Sequence, residues 1–252
     1  MRLALLAIPA VRSALSLELG RDIEYHAALA STQDRARELA VAGAGPSVVV
    51  ADHQAAGQGT RGRSWVAPPG TSLLASWLFR PAPAEPGLFA LLAGVAVARA
   101  LERLGMREAS LKWPNDVEAG QKKVAGALAH ATTDGEGGSL VLGIGVNVHQ
   151  TKDEFPAELR ATATSLALAG HTADRLALFV ALTHELDRVA GPGERSAALA
   201  EWRARSTVLG REVEVTREGR PVVRGVARDI ADDGALLVGS ERVVSGDVRA
   251  LA

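Results

Sequence analysis

The densest chemistry in this 252-residue chain lies in Gln54-Ala-Ala-Gly-Gln-Gly-Thr-Arg-Gly-Arg-Ser-Trp65. Gly57, Gly59 and Gly62 would let backbone N–H groups converge on an anion without side-chain obstruction. Arg61 and Arg63 add guanidinium forks suited to phosphate or carboxylate, and Trp65 offers a flat face to a planar ring. Formally the glycines make G-x-G-x-x-G after a strand, the dinucleotide fingerprint. That fingerprint has to open a helix, and Val66-Ala-Pro-Pro-Gly70 forbids one. A P-loop is excluded as well, because no Gly-Lys-Ser/Thr exists. A solvated, flexible loop has the same composition and stays open as an alternative.

Two shorter constellations follow. In Leu111-Lys-Trp-Pro-Asn-Asp116, a lysine at a strand end beside Trp113 and Pro114 is a positioned cation. Asn115 and Asp116 then fall at a turn, where Asp116 could orient Lys112 or hold Mg²⁺. A plain Pro-Asn-Asp turn with an exposed lysine would read the same way. Gly143-Ile-Gly-Val-Asn147 ends a hydrophobic strand. Glycines there mark either a bulge or the close approach of another group, and Asn147 adds a donor and an acceptor.

The elements that must position these residues can be read from periodicity and turn chemistry. Thr32 to Val41 reads as a helix capped by Ser31 or Thr32 and stopped at Gly43. Ser47 to Ala51 reads as a buried strand, residues 52–70 as a long loop, and Leu73 to Phe79 as a strand. Leu88 to Leu104 is a strong helix. Strands follow near Ser110–Trp113, Lys122–Ala131 and Leu140–Val148, the last two joined through Asp134-Gly-Glu-Gly-Gly138 as a hairpin. Helices are predicted at Ala173–Ala190 and Glu194–Ser206. Beyond Gly210 short strands at 212–215, 222–227, 236–238 and 242–244 form the pattern of a small barrel or sandwich. The boundary falls near residue 207, dividing the chain into 1–206 and 207–252.

Composition narrows the function. Hydrophobic residues make up 47% and charged residues 23%, as in ordinary globular domains. A net charge of −1 does not advertise nucleic-acid binding, so any anion must be held by a local cluster. The absence of cysteine removes disulfides, thiolate metal sites and thiol nucleophiles. It also fits a reducing cytoplasm. The six histidines form no HExxH pair, which argues against a zinc hydrolase. Leu3 to Val11 is apolar, but Pro9, Glu18, Arg21 and Asp22 break the pattern of a signal peptide or membrane span. The expectation is a cytoplasmic protein with a partly packed N-terminal helix.

Taken together, these segments resemble the biotin–protein ligase family, in order along almost the whole chain. Ser31-Thr32-Gln33 looks like the family's Ser-Thr-Asn, and the glycine-arginine loop looks like Gly-Arg-Gly-Arg-x-Gly-Arg-x-Trp. Lys112-Trp-Pro-Asn-Asp116 matches outright, Lys123-Val-Ala-Gly-Ala-Leu128 resembles Lys-x-x-Gly-Ile-Leu, and Gly143 to Asn147 resembles Gly-x-Gly-x-Asn. Ala163 to Leu166 and the barrel-like end fit the closing third.

The resemblance implies an α+β fold: a mixed sheet flanked by helices, of the class II aminoacyl-tRNA synthetase/biotin ligase type, with a small C-terminal SH3-like barrel. It implies biotin and ATP as substrates, Mg²⁺, a biotinyl-5′-adenylate intermediate, and transfer to a lysine of a biotin carboxyl carrier protein. Lys112, Arg61 and Arg63 would be catalytic. Ser31, Thr32, Gln33, Gln54, Gly57, Gln58, Gly59, Thr60, Lys112 and Gly143 would hold biotin. Arg61, Gly62, Arg63, Trp65, Asn115, Lys123 and Asn147 would hold the nucleotide, and Asp116 the metal. The regulatory relatives carry a DNA-binding domain of roughly 60 residues, and 30 residues precede Ser31 here. The expectation is therefore no operator binding and no membrane, with a homodimer allowed.

Three positions depart from the pattern. Gln58 and Thr60 stand where arginines are usual. Each lost charge-assisted hydrogen bond is worth about 1.5–3 kcal/mol, so charge counting alone predicts faster release of the adenylate. Gln33 replaces Asn, and His130 stands where Glu is common. The nearest rival, a lipoate–protein ligase, lacks the glycine-arginine loop, and related octanoyl transferases need a cysteine. A non-catalytic sensor is opposed by the intact Lys112. A nucleic-acid module on the C-terminal segment lacks an aromatic platform.

Overall fold

The computed structural model describes Leu15, Leu19 and residues 21–106, 109–134, 137–191 and 193–251. The apolar segment Leu3 to Val11 lies outside the described residues. Two sheets organise the rest. In the large one, seven strands run in the order β1-β2-β3-β7-β6-β5-β4. These are β1 Ile23–His26, β2 Ser47–Ala51, β3 Ser72–Phe79, β4 Ala109–Lys112, β5 Asp116–Ala119, β6 Lys122–Thr132 and β7 Ser139–Asn147. β1 pairs parallel with β2 and the other neighbours are antiparallel, so the sheet is mixed.

The two faces are covered unequally. Helix α1 (Thr32–Val41) places Ala36 and Ala40 against Val49, Leu78 and Val141. Helices α2 (Phe89–Arg103), α3 (Arg175–Ala190) and α4 (Glu194–Arg205) cover the opposite face, where Trp77, Leu142 and Ile144 meet the main core. Because alternate strand residues face opposite sides, both faces of β2, β3 and β7 are apolar. That is why these three strands read as nearly continuous hydrophobic runs.

Caps set the helix ends. Ser31 Oγ accepts from Asp34 N at 3.3 Å and starts α1. Asp174 accepts from Leu176 N and Ala177 N, both at 2.9 Å, so α3 begins at Arg175 rather than at Ala173. The strong helix expected from Leu88 begins at Phe89, after a 3₁₀ turn over Pro86–Leu88. None of the described helices is long and apolar enough to cross a membrane.

The small sheet is antiparallel, with order β11-β10-β9-β8-β12. Its strands are β8 Glu212–Arg217, β9 Arg220–Ile230, β10 Leu236–Val238, β11 Glu241–Val243 and β12 Asp247–Ala250. One buried cluster continues from the large sheet through Trp113 and Val208 into Val213, Ile230 and Leu236. The buried indole of Trp113 donates to Gly234 O at 3.0 Å. The residue beside Lys112 is therefore fixed by the small sheet.

Candidate active site

The loop expected to be structureless is a tight hairpin. Gln58 bridges Ser64, Gly59 N donates to Arg63 O at 2.7 Å, and Trp65 N donates to Gly57 O at 2.9 Å. Its tip is a 3₁₀ turn, Thr60–Gly62, in which Arg61 has φ 58°. The glycines serve this packing. A Cβ on Gly57 would come within 2.4 Å of Trp65 O, and Gly62 sits at φ 71°. The amides of Gly59, Arg63 and Trp65 are thus spent inside the loop. At the loop base, Gly70 N donates to Asp52 O at 2.9 Å, and the Asp52 carboxylate meets the buried Arg175 at 2.8 Å.

Beside this hairpin lie two clefts, and Gly59, Thr60, Trp65 and Lys123 border both. The inner cleft is lined by the start of α1, the hairpin and strands β3, β6 and β7. Its floor is a neutral hydrogen-bonded chain. The Thr32 amide and hydroxyl donate to Gln54 Oε1 at 2.7 and 2.9 Å. The Ser76 hydroxyl lies between Thr32 Oγ1 at 2.9 Å and Gln33 Oε1 at 3.3 Å. Gln33 Nε2 donates onward to Leu128 O and Val141 O, at 3.3 and 3.2 Å. Gly143 lines this cleft and leaves room for Gln33, since a Cβ there would stand 2.2 Å from Oε1. Asn115 also borders it and ties β6 to the β4–β5 turn through Ala127 O at 2.7 Å. Such a surface suits a neutral ring with fixed donors and acceptors.

The outer cleft is charged. Lys112, Lys123 and Arg63 line it with Asp116, Glu118 and Asn147. Phe155 and Leu159 give it an apolar side. Burial pushes the Glu118 carboxyl above its usual range, against the pull of Lys112 and a Thr207 hydrogen bond. Asn147 holds the 162–166 segment, donating to Thr164 O at 3.0 Å and accepting from Leu166 N at 3.0 Å.

Lys123 stands at the junction. Its ammonium lies 2.6 Å from Asp116 Oδ1 and 5.7 Å from the Trp65 ring centroid. Its position depends on a register shift: Val117 pairs with Ala125 and Glu118 with Lys123, which leaves Val124 as an extra residue in β6. In a regular strand Lys123 and Gly126 would face opposite sides. The bulge puts them on one side, where a Cβ on Gly126 would sit 3.0 Å from Nζ. Gly145 in turn clears space for Trp65, whose ring would be 2.6 Å from an added Cβ. The buried Trp65 Nε1 has no protein acceptor among the described residues.

Of the residues singled out from sequence, Ser31, Thr32, Gln33, Gln54, Gln58, Gly59, Thr60 and Gly143 share the inner cleft, while Gly57 supports the loop behind it. Arg63, Trp65, Lys123, Asn147 and Asp116 share the outer one. Lys112, expected where carboxylate and phosphate meet, borders only the outer cleft; Lys123, expected on the nucleotide side, borders both. Asn115, expected beside the nucleotide, borders the inner cleft. Arg61 and Gly62 border neither, and Arg61 instead contacts Asp247 of the small sheet. Sequence reasoning missed Ser76, and it placed Gly126 and Gly145 in motifs without giving either a site role. The two glycines carried a signal, because each lies two or three residues from a motif residue on the same strand.

This architecture is that of the biotin/lipoate ligases. The model of the biotin/lipoate A/B protein ligase family matches residues 28–147, and that of the biotin protein ligase C-terminal domain matches residues 208–249. The bifunctional ligase/repressor BirA of Bacillus subtilis is 39% identical over 172 residues, 66% of this chain and 53% of the relative. The biotin–[acetyl-CoA-carboxylase] ligase of Mycobacterium tuberculosis is 37% identical over 214 residues, 80% of this chain and 77% of the relative. Among solved structures, the biotin protein ligase from Aquifex aeolicus in complex with biotin and ATP superposes with a TM-score of 0.74 at 28% identity, covering 92% of this chain and all of the other. The chain spans about half the length of the two Bacillus BirA relatives. It belongs to the biotin protein ligase family.

Proposed function

We propose that the protein is an ATP-dependent biotin–protein ligase, with biotin in the inner cleft and the nucleotide in the outer one. A biotin carboxylate oxygen attacks the α-phosphorus of ATP, the bond to the β-phosphate breaks, and pyrophosphate leaves. A lysine amine of a biotin carboxyl carrier domain then attacks the acyl carbon, loses a proton and expels AMP. The observation that carries this reading is Lys123, an ammonium at the boundary between a neutral cleft and a cationic one.

The physical problem is to bring two anions together. Their repulsion is screened by water outside the site and must be offset by fixed charge inside it. Lys123 is fixed by its backbone pairing with the 162–164 segment, by Asp116 and by Trp65. It therefore supplies charge where the carboxylate and α-phosphate would meet, with no reorganisation at the moment of attack. Lys112 and Arg63 would take the outgoing phosphates. The neutral chain through Gln54, Thr32, Ser76 and Gln33 offers a ureido ring both donors and acceptors. The hairpin loop covers the junction and limits hydrolysis of the anhydride.

Among the described residues no cluster of three or more metal-binding side chains exists. Asp116, with Glu118 nearby, fits an ion that brings phosphate and water ligands with it, as Mg²⁺ on a nucleotide does. When bound, that ion would neutralise phosphate charge. A biotin carrier domain incubated with biotin, ATP and Mg²⁺ should gain one biotinyl mass on a single lysine, with release of pyrophosphate. A gain with lipoate instead, or none with either, would overturn the proposal.

A further inference from the structure

The glycine-arginine hairpin is fastened on two flanks. On one, Gln58 Nε2 donates to both oxygens of Asp34 in α1, at 3.1 and 2.9 Å. On the other, the side chains of Arg61 and Arg63 converge on Asp247 at the start of β12, Arg63 at 3.3 Å. Within the hairpin, Thr60 orients Arg63, whose Nη2 donates to Thr60 Oγ1 at 2.9 Å and whose Nε donates to Thr60 O at 3.3 Å. The two residues that replace the usual arginines, Gln58 and Thr60, are therefore both used to hold the loop's shape.

We propose that Asp247 is a positioning residue of the ligase, a carboxylate from the small sheet that fixes the arginine loop before nucleotide arrives. This rests on the ligase reading above. Its placement is set by Gly246, where a Cβ would come within 2.6 Å of Val215 and 3.0 Å of Thr216 O. That contact holds the bend against β8.

A carboxylate beside loop arginines can act in two opposed ways: it can compete with phosphate for them, or it can keep the loop in the shape phosphate needs. The geometry decides for the second. Arg61 borders neither cleft, so its pairing takes nothing from the substrate and anchors the backbone at its left-handed position. Arg63 gives Asp247 one contact, with both side chains 56% exposed. Such a contact is weak and easily exchanged for a phosphate. Preorganisation is therefore expected to outweigh competition, and the loss of two loop cations is offset by a loop that is already closed.

The test uses the full-length chain and Asp247→Asn. In the ligand-free enzyme, trypsin should cut after Arg61 and Arg63 roughly five- to tenfold faster than in the wild type, since the fraction of open loop rises. The KM for ATP should rise about three- to tenfold with kcat within roughly twofold. Asp247→Glu should restore both. In an Arg61→Gln background, Asp247→Asn should add little, because the two residues act through one contact. An unchanged tryptic pattern and KM, additive effects in the double variant, or a lower KM for ATP would each overturn the proposal. A thermal melt matching the wild type shows that the exposed substitution has not unfolded the chain. If biotin with ATP fails to protect the wild-type loop from trypsin, the ligase reading falls, while the ligand-free comparison still tests Asp247.

Discussion

The two clefts differ in how they are built. The inner one is made of neutral groups, each holding the next: half-buried Gln54 from the loop, then the buried Thr32, Ser76 and Gln33 from the start of a helix and a strand. The outer one is made of charges, several of them on loops or strand ends, with Lys112, Lys123 and Arg63 facing Asp116 and Glu118. A neutral ligand head is selected by geometry, which rigid strands supply. Phosphates that enter, react and leave need strong charge with room to move. Lys123 and Trp65 belong to both sides, so damage there should reach further than damage to either cleft alone.

The largest effect is expected at that junction. Lys123→Ala should lower kcat/KM for biotinylation by roughly 100- to 1000-fold, the scale of removing a group that stabilises developing charge. Pyrophosphate release from biotin and ATP measures it; a loss under about fivefold would move the meeting point elsewhere. Next is Gly143→Ala, whose methyl group would displace Gln33 Oε1. The KM for biotin should rise about tenfold, as overpacking costs of 1–3 kcal/mol imply. The KM for ATP should stay near the wild-type value. Equal changes in both would mean that the clefts are not separate.

Lys112→Ala should be milder, a rise of about three- to tenfold in the KM for ATP with biotin binding intact, because Lys112 borders only the outer cleft. A larger loss than for Lys123→Ala would reverse their roles. The smallest effect concerns stability. Burial raises the Glu118 pKa from 4.5, so the folded protein holds this proton more tightly than the unfolded chain. Its contribution is most favourable below pH 4.5 and is lost as pH rises through the folded value. Glu118→Gln should therefore raise Tm near neutral pH by a few degrees at most, and the gain should vanish in acid. A gain of the same size at low pH would show another cause.

Much of this was legible in the residues. β2, β3 and β7 are continuous hydrophobic runs, and the glycine-arginine loop, Lys112 to Asp116 and Gly143 to Asn147 carry recognisable spacing. The strands that escaped notice, β1, β5 and β12, are four residues each and mix charged with apolar side chains. Their pairing depends on neighbours distant in the chain, for which local pattern gives no cue. The difference in placement between Lys112, which borders the outer cleft, and Lys123, which borders both, has a sharper cause. It turns on the bulge at Val124, and a one-residue shift in register leaves no mark in a run such as Lys-Lys-Val-Ala-Gly. Trp65 offers a stacking face by its residue type, but the glycines that make room for it lie on two other strands.

The indole of Trp113 has a consequence for how the chain comes apart. It follows Lys112 directly, is buried, and donates a hydrogen bond to Gly234 O in the β9–β10 turn of the small sheet. The apolar cluster around it runs unbroken across both sheets. The terminal strands thus act as a foundation rather than an appendage: heat should melt the molecule in one cooperative step, and loosening the far end should unseat a lysine of the outer cleft.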